Sequence, residues 1–459
     1  MKYVTEPEKR IPVIAEVDVV VIGGGPGGLP AAIAAARHKA NTLVVERYGF
    51  LGGMATNGLI GPILAHTAHQ SDIPIIGGIA KELCIRMHEL GGAPKWEDAL
   101  KQWGVPFNSE ILKHTADQMI EEAGVRVLFH TYFSDTIVED DEITSIIVEG
   151  KSGRQAIAAK IVVDATGDAD VAYRSGAPMQ KGRPADGMPQ SMGTIFRIGG
   201  IEKVSPEERK EASEKIRKAI DAGELRMYNT SLGGQSSTII EGEATLNCTR
   251  FAGDATNIED LTNGEIQVRK DTLKIVDFLR KNVPAYRNCY LIATPAQIGV
   301  RETRQIIGET TLTADDIING RKYEDSVARG SWWIDIHCPR GFVKNEVHLC
   351  YSKCPMKDCY MHTKYKDQLM DNLYPPKGDW YDIRYGCLVP KKIDNLLVSG
   401  RCISATHSAM AGARVMGTCM AIGQAAGTAA AQAVLTQKSP RELDVEAIRQ
   451  TIIADGGIV

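Results

Sequence analysis

The sequence predicts an α/β fold in which a mostly parallel sheet, with helices on both faces, is interrupted by an inserted α+β domain. Three observations lead to this prediction. Near the start of the chain an apolar run is followed by a glycine-rich turn, an alanine-rich stretch and a second apolar run. A similar alanine- and glycine-rich stretch returns near the end, and the sequence between them lacks any regular alternation of strand and helix. The sheet domain is therefore expected to be assembled from both ends of the chain.

The N-terminal unit carries the strongest pattern. Residues 17–22 (VDVVVI) predict a short buried strand, because the run is almost continuously apolar. The alanine-rich stretch after the glycines predicts a helix that ends near Lys39, and residues 42–45 predict a second strand, which Glu46 follows. Strand, turn, helix, strand and acid thus occur in the order that a dinucleotide-binding unit requires.

The glycines of this turn, Gly23, Gly25 and Gly28, have G-x-G-x-x-G spacing. The first permits a tight turn, the second leaves the backbone open to a pyrophosphate, and the third lets the helix lie close to the strand. The helix N-terminus offers unpaired N–H groups and a positive dipole to phosphates. Glu46, at the tip of the second strand, can accept hydrogen bonds from a ribose. These features predict a dinucleotide site.

Hydrophobic periodicity predicts the other elements. Helices are expected at 77–91 and 108–123, followed by strands at 125–129, 143–149 and 156–163. Later elements are expected to be helices at 205–222 and 264–282, a strand at 396–399 and a helix at 416–435. The expected domain boundaries are 1–175 and 391–459 for the two parts of the nucleotide-binding domain, and 176–390 for the inserted domain.

The composition restricts partners and location. A chain of 459 residues is longer than one ordinary core, which agrees with two domains. Its net charge of −4 gives no reason to expect nucleic acid as a partner. No apolar run is long enough to span a bilayer, and the charged N-terminus lacks the apolar core of a secretory signal. Ten cysteines in this context indicate reduced thiols or metal ligands in the cytoplasm.

Four stretches together resemble a known family: GGGPGGLPAAIAAAR, GFLGGMAT, DATGDADVA and NLLVSGRCISATHSAMAGARVMGTCMAIGQAAGTAAA. They are similar to FAD-dependent oxidoreductases of the glutathione-reductase-like superfamily, in particular the branch named after heterodisulfide reductase. The middle of the chain shares only LIATPAQIGVRETRQIIGETTLTADDI and WWIDIH with it. The resemblance implies a Rossmann-like FAD-binding domain and is specific for FAD, but it does not specify a substrate.

The resemblance also implies roles for individual residues. The fingerprint glycines hold the FAD pyrophosphate, and Glu46 binds the adenosine ribose. Gly400 and Arg401 stand where many relatives have Gly-Asp, so the role of Arg401 departs from the family pattern, although a guanidinium there can pair with a phosphate. The other residues expected to contact FAD are Arg47, Gly52, Gly53, Met54, Thr56, Val127, Gly167, Asp168 and Gly417.

The last glycine-rich helix has two interpretations. If residues 417–423 begin a helix aimed at the flavin, its N–H groups and dipole stabilise negative charge on the pyrimidine edge and favour reduction. Alternatively, Gly417, Gly423 and Gly427 serve only to let the helix pack closely.

The chain lacks a second dinucleotide fingerprint and a Cys-x-x-Cys redox motif. We therefore expect the substrate to meet the flavin directly, in a pocket between the two domains. The stretch WWIDIH predicts a strand that places Trp333, Asp335 and His337 on one face. His337 is the first candidate for the group that accepts the substrate's proton, with Asp335 beside it. The alternative is a histidine that is simply hydrogen-bonded within a sheet.

Two other groups are candidates for the same pocket. Arg301 begins the stretch RETR, whose arginines can either anchor a carboxylate substrate or pair with local acids at the domain interface. His407 is the second candidate base, near Arg384 and Arg414 in the sequence that returns to the flavin. The expected catalytic residues are therefore His337, His407, Arg301 and Asp335.

A cysteine-rich stretch contains Cys338, Cys350, Cys354 and Cys359. Thiolates suit zinc, and four of them suit an iron–sulfur cluster. The spacings match neither a ferredoxin motif nor a zinc ribbon, so plain thiols, zinc and an iron–sulfur cluster all stay open.

The expected function is an FAD-dependent oxidoreductase that moves a hydride between a small organic substrate (CH–OH, CH–NH or CH–CH) and flavin N5. Oxygen, a quinone or an electron-carrier protein would reoxidise the flavin, and a homo-oligomer is compatible with the sequence. Two alternatives are an electron-transfer component that relays electrons between FAD and a metal centre at the cysteine-rich stretch, and a flavoprotein that binds without turnover.

Overall fold

The computed structural model describes residues 2–230, 232, 237–341, 352–353, 357 and 359–459. Strands β1 to β14 span Val13–Ile22, Thr42–Val45, Arg126–Leu128, Tyr132–Glu139, Glu142–Gly150, Gly153–Asp164, Met179–Lys181, Ile195–Gly199, Ala244–Asn247, Tyr290–Ala293, Arg304–Ile306, Ser326–Gly330, Tyr381–Arg384 and Leu396–Val398. Helices α1 to α12 span Gly28–Arg37, Gly78–Glu89, Trp96–Ala99, Ser109–Glu122, Asp170–Arg174, Pro206–Asp221, Ile258–Asn282, Ala314–Ile318, Tyr360–Lys364, His407–Ala413, Met416–Thr436 and Val445–Ala454. Within these described ranges, no helix is both long enough and apolar enough to cross a bilayer.

The central sheet has the strand order β3-β2-β1-β6-β5-β4, and β14 also pairs with β6. The pairs β1–β2, β1–β6, β2–β3 and β6–β14 are parallel, whereas β4–β5 and β5–β6 are antiparallel. Because β1 lies in the middle of the sheet, the side chains from Val19 to Ile22 are all buried. The predicted α/β fold with a mostly parallel nucleotide-binding sheet is confirmed, and the strand expected at 42–45 has those bounds.

The two ends of the chain meet along β6. Its first half pairs with β5, and its last residues pair with β14, which places Leu396 opposite Val162 and Val398 opposite Asp164. On one face of this sheet, α11 crosses α1 at very short range. A Cβ atom added at Gly423 would lie 2.2 Å from the carbonyl oxygen of Gly27, and one added at Gly427 would lie 2.0 Å from that of Ala31. Gly423 and Gly427 are therefore close-packing residues, as the second interpretation of this helix predicted.

Replacing Gly427 by Ala is expected to lower the free energy of unfolding by about 1–3 kcal/mol, because the methyl group forces α11 away from α1. Removing glycine from a helix interior normally stabilises it by up to about 1 kcal/mol, so the sign of the effect identifies the clash. Chemical denaturation would measure it. Leu435→Ala is the control, since Leu435 lies on the same helix and is 66% exposed. An unchanged or increased stability of Gly427→Ala would contradict the close packing.

A second hydrophobic core lies in the middle of the chain. Strands β10, β8 and β9 form an antiparallel sheet in that order, and helices α6 and α7 contribute Ile216 and Ile275 to the core beside Phe196 and Tyr286. The sequence from Ile306 onward returns to the core of the first sheet. The two cores are therefore built from alternating parts of the chain.

Candidate functional site

A cavity of about 520 Å³ extends from the glycine-rich turn after β1 to polar side chains between the two cores. Gly23, Gly25 and Glu46 line it beside the turn, and Arg301 and Asp335 line the part that we call the arginine end. The cavity therefore joins residues that the sequence assigned to a cofactor with residues that it assigned to a substrate.

Each glycine of the turn is required for a different steric reason. Gly23 has φ of +99°, and a Cβ atom there would lie 2.5 Å from the carbonyl oxygen of Ala165. At Gly28 the Cβ atom would lie 1.7 Å from the carbonyl oxygen of Gly23, so this glycine seats α1 on the turn and does not line the cavity. At Gly25 the nearest atom would be the Cα of Gly53, at 3.7 Å. Gly25 therefore faces open space that a ligand's phosphates can approach closely.

Glu46 follows β2 and is 5% exposed. Its carboxylate accepts hydrogen bonds from the N–H groups of Gly24 at 2.8 Å and Tyr48 at 3.0 Å. Burial raises the pKa of Glu46, while these two N–H groups act in the opposite direction. Each oxygen keeps a lone pair that can accept from a ribose hydroxyl in the cavity.

Unpartnered polar atoms lie near the N-terminus of α1. Ser399 Oγ and Arg401 Nη1 are buried and have no hydrogen-bond partner among the residues that the structure describes. Both residues line the cavity. The other guanidinium nitrogen, Arg401 Nη2, lies 3.3 Å from Asp168 Oδ1, which also accepts from Thr303 at 2.8 Å. A hydroxyl, a guanidinium and a helix N-terminus with unmet hydrogen bonds fit a diphosphate group, so the residues present fit a dinucleotide.

The N-terminus of α11 also reaches the cavity. Val415, Met416 and Cys419 line it. Gly417 does not, because its N–H donates to the carbonyl oxygen of Leu64 at 3.2 Å and a Cβ atom there would lie 2.4 Å from the same oxygen. The first turn of α11 is thus in position to act on a ligand in the cavity, while Gly417 itself serves packing.

The structure brings most of the expected cofactor residues together. Those that line the cavity are Gly23, Gly25, Glu46, Arg47, Gly53, Met54, Gly167, Asp168, Gly400 and Arg401. Those that lie outside its lining are Gly28, Gly52, Thr56, Val127 and Gly417. Thr56, for example, donates its hydroxyl to the carbonyl oxygen of Leu51 at 2.7 Å, so it holds the local loop.

Sequence reasoning missed the aromatic surroundings of Arg47. Its guanidinium lies 5.0 Å from the ring centre of Tyr48 and 5.8 Å from that of Tyr132, and it donates to Gln297. All four residues line the cavity. Tyr132 and Gln297 are distant in sequence, and no local pattern marks them as site residues.

The predicted strand at WWIDIH is wrong. Residues 331–338 form no ladder with any strand in the described part of the chain. Ser331 instead donates to the carbonyl oxygen of Thr67, and Ile334 to that of Leu373. Trp333 stacks on Tyr374 with ring centres 5.3 Å apart, and it is Trp332 that lines the cavity, together with Asp335 and His337. The prediction failed because Ile334 and Ile336 are both buried, which gives this irregular segment the alternating pattern of a strand.

Three arginines surround Asp335 and His337. Arg250 Nη2 lies 2.9 Å from His337 Nδ1, and Arg414 Nη2 lies 3.7 Å from Asp335 Oδ2 and 3.0 Å from its carbonyl oxygen. Arg301 donates to the carbonyl oxygen of Ser191 at 2.9 Å and to Asn247 Oδ1 at 3.2 Å. Arg250 follows β9, and nothing in its local sequence marked it as a site residue.

This arrangement does not support His337 as the proton acceptor. A guanidinium only donates, so Nδ1 accepts from Arg250 and the neutral ring carries its proton on Nε2, 3.4 Å from Asp335 Oδ2. Burial, and then the charge of Arg301, hold the pKa of His337 well below its usual range. Burial raises the pKa of Asp335. The opposite effect of His337, Arg414 and Arg301 is larger, so this pKa lies below its usual range. Of the two residues, Asp335 is therefore ionised and His337 is neutral, and both line the cavity.

His407, the second candidate base, lies outside the cavity lining. Its Nδ1 lies 2.8 Å from Glu302, which is 1% exposed and also accepts from the N–H of Gln190 at 2.9 Å. The side chain of Gln190 accepts from the N–H of His337 at 3.2 Å. The pair of His407 and Glu302 thus supports the segment that carries His337 instead of contacting a ligand in the cavity.

Two of the four candidate metal ligands, Cys350 and Cys354, lie outside the described residues. Cys338 and Cys359 are buried. Among the residues that the structure describes, no group of three or more His, Cys, Asp or Glu side chains is placed to hold a metal ion. Metal binding at this stretch stays a prediction, which metal analysis and an absorbance scan of the purified protein would test.

The parallel sheet, the glycine turn, the acid after β2 and the unpaired phosphate-binding groups define a dinucleotide-binding α/β protein. The chain belongs to the FAD dependent oxidoreductase family, which matches residues 18–452. FAD is therefore its cofactor, as the family resemblance of its motifs implied.

Individual relatives are more distant. Thiamine thiazole synthase of Methanococcus vannielii is 29% identical over 170 residues, which cover 34% of this chain and 59% of that protein. Soluble pyridine nucleotide transhydrogenase of Mycobacterium tuberculosis is 41% identical over 68 residues, 15% of this chain and 14% of that one. Among solved structures, a flavin-dependent brominase is 14% identical, with a TM-score of 0.48 over 95% of this chain and 83% of that one.

Two substitutions in the turn should separate FAD binding from folding. Gly25→Ala is expected to weaken FAD binding by about 1–3 kcal/mol, roughly 5- to 150-fold, because the methyl group occupies space left for the ligand. The apoprotein should keep its stability, since the nearest protein atom is 3.7 Å away.

Gly28→Ala is the matched comparison and should destabilise the apoprotein itself by about 3 kcal/mol or more. Titration of apoprotein with FAD and denaturation without FAD measure the two effects. Equal losses of apoprotein stability in both variants would contradict the assignment of Gly25 to the ligand.

Proposed function

We propose that the protein transfers a hydride between a small organic substrate (CH–OH, CH–NH or CH–CH) and its FAD. The observation that carries this proposal is the continuous cavity lined both by the dinucleotide turn and by Asp335 and the neighbouring arginines. A substrate bound at the arginine end has direct access to whatever part of the cofactor extends along the cavity, without a second cofactor between them.

Bound FAD supplies an acceptor for two electrons. The chain's own residues bind the substrate and remove its proton. Arg301 and Arg414 orient the substrate, and Asp335 Oδ2 accepts the proton that an OH or NH group loses as its carbon is oxidised. His337 donates from Nε2 to the same oxygen and so positions this carboxylate.

The direct test is anaerobic reduction of the bound flavin. The FAD-loaded protein is mixed with members of a panel of sugars, amino acids, hydroxy acids and enoates, and absorbance near the flavin bands is followed. The proposal expects at least one class to bleach the flavin in a saturable manner. If no class does so while the chemically reduced protein returns electrons only to a co-purifying partner, direct hydride transfer from a small substrate is wrong.

A further inference from the structure

At the arginine end of the cavity, the described residues carry more positive than negative charge. We call Arg250, Arg301 and Arg414 the arginine cluster. Arg250 is 3% exposed and Arg301 is 8% exposed. Within the described part of the chain, the one carboxylate that approaches any of the three within 4 Å is Asp335, beside Arg414. Glu302, which also acts on Arg414, is already bound by His407.

The three members of the cluster have different surroundings. Arg250 lies behind the cavity wall, where it stacks on Tyr228 at 3.4 Å from the ring centre and donates to Asn247 at 3.0 Å and to His337. Arg301 and Arg414 line the cavity. Two of the five N–H groups of Arg301 are bonded, and Arg414 Nε is buried without a partner. Arg301 and Arg414, unlike Arg250, therefore border the space that a ligand can occupy.

Burying uncompensated guanidinium groups is costly unless an anion pairs with them. Burial, and then the charges of Arg250 and Arg414, hold the pKa of Arg301 well below its usual range, which expresses the same repulsion. Ser399, one of the unpaired groups suited to the cofactor's phosphates, lies beside Gly27 at the N-terminus of α1. Arg401, the other, adds a further positive charge that acts on Arg414. Asp335 alone does not balance these guanidinium groups within the described residues, which favours a bound anion beside Arg301 and Arg414.

We propose that the substrate carries a carboxylate group and that Arg301 and Arg414 bind it. This inference rests on the proposed function and specifies its substrate class. A planar carboxylate matches the fork of a guanidinium, which can donate two parallel hydrogen bonds to it. The neighbouring wall includes Ile195, Met227, Val300 and Trp332, which suits a small organic acid better than a bare inorganic anion.

Binding can be tested without turnover. FAD-loaded protein is titrated with malonate, succinate and inorganic phosphate, and with the neutral analogues malonamide and succinamide, while changes in the flavin absorption spectrum are recorded. We expect saturable changes with at least one dicarboxylate and at least tenfold weaker binding of its diamide. Equal binding of acid and diamide, binding of phosphate alone, or no response to either dicarboxylate would overturn the proposal.

Variants then locate the anion. Arg301→Gln and Arg414→Gln should each weaken dicarboxylate binding by about 10- to 100-fold, the range for loss of a charge-assisted hydrogen bond. Arg287→Gln is the control, because Arg287 pairs with Glu202 on the surface and both are mostly exposed. Arg301→Lys keeps the charge and most of the volume; it should retain FAD and still bind the dicarboxylate more weakly than the native protein. Native affinity in all three site variants would overturn the assignment.

The same experiment separates this inference from the proposed function. Dicarboxylates that bind through Arg301 and Arg414, in a protein whose flavin no carboxylic acid reduces, would support the anion site and count against hydride transfer. If a neutral compound reduces the flavin and Arg301→Gln does not affect the rate, hydride transfer is supported and the proposal that the substrate carries a carboxylate is overturned.

Discussion

Replacing Asp335 by Asn is expected to slow reduction of the bound flavin by substrate by about 10²- to 10⁴-fold, the usual contribution of a positioned general base. The substitution keeps the size of the side chain and removes its ability to accept a proton. FAD content should stay native, because the groups that fit the cofactor, Glu46, Ser399 and Arg401, do not depend on Asp335 for their contacts. Stopped-flow absorbance under anaerobic conditions measures the rate, with any panel compound that bleaches the native flavin.

Asp325→Asn is the matched control, since Asp325 pairs with Arg384 outside the cavity lining. His337→Gln should have a smaller effect than Asp335→Asn if His337 only positions the carboxylate. The reverse order, with His337→Gln inactive and Asp335→Asn nearly native, would restore His337 as the proton acceptor. An anionic substrate strengthens the expected role of Asp335, because it offsets the arginine charges that lower the pKa of this carboxyl.

Replacing Glu302 by Ala is expected to lower the free energy of unfolding by about 3–5 kcal/mol, because several buried donors lose their acceptor. The carboxylate accepts from His407, from the N–H of Gln190 and from Gln305 at 3.3 Å. Its removal leaves those donors buried without an acceptor. Urea denaturation at a fixed concentration of FAD measures the change.

Glu302→Gln is the control for volume and for one acceptor oxygen, and it should cost less than Glu302→Ala. Because Gln190 also accepts from the N–H of His337, the Ala variant should additionally lower the rate of flavin reduction. A loss below about 1 kcal/mol would show that the pair of His407 and Glu302 has no structural role of this kind.

The N-terminal half of the site could be predicted because its information is local. Thirty residues contain a buried strand, three glycines at fixed spacing and an acid after the next strand. Each of these features has its own steric or electrostatic role, and the structure shows the same roles. The same reasoning failed at WWIDIH. There the alternating burial of Ile334 and Ile336 comes from packing in an irregular segment, which periodicity does not distinguish from a strand.

The substrate end could be predicted only in part for a related reason. Arg301, Asp335 and His337 were identified as candidates from residue type, but the chemistry of His337 depends on which group contacts Nδ1. That group is Arg250, 87 residues earlier in the chain. A guanidinium in place of a carboxylate at this position turns the expected base into a positioning group, and only tertiary structure reveals the difference.

The contribution of the C-terminal segment to the central sheet affects how the protein is made on the ribosome. Strand β6 is complete at Asp164, whereas its neighbour β14 begins at Leu396. At about 5–20 residues per second, translation of residues 165–395 takes roughly 10–50 s. Throughout this interval the emerging polypeptide lacks the strand that pairs with the end of β6 and the helix that packs on α1, so the cavity wall is completed only when residues 399–419 have been made.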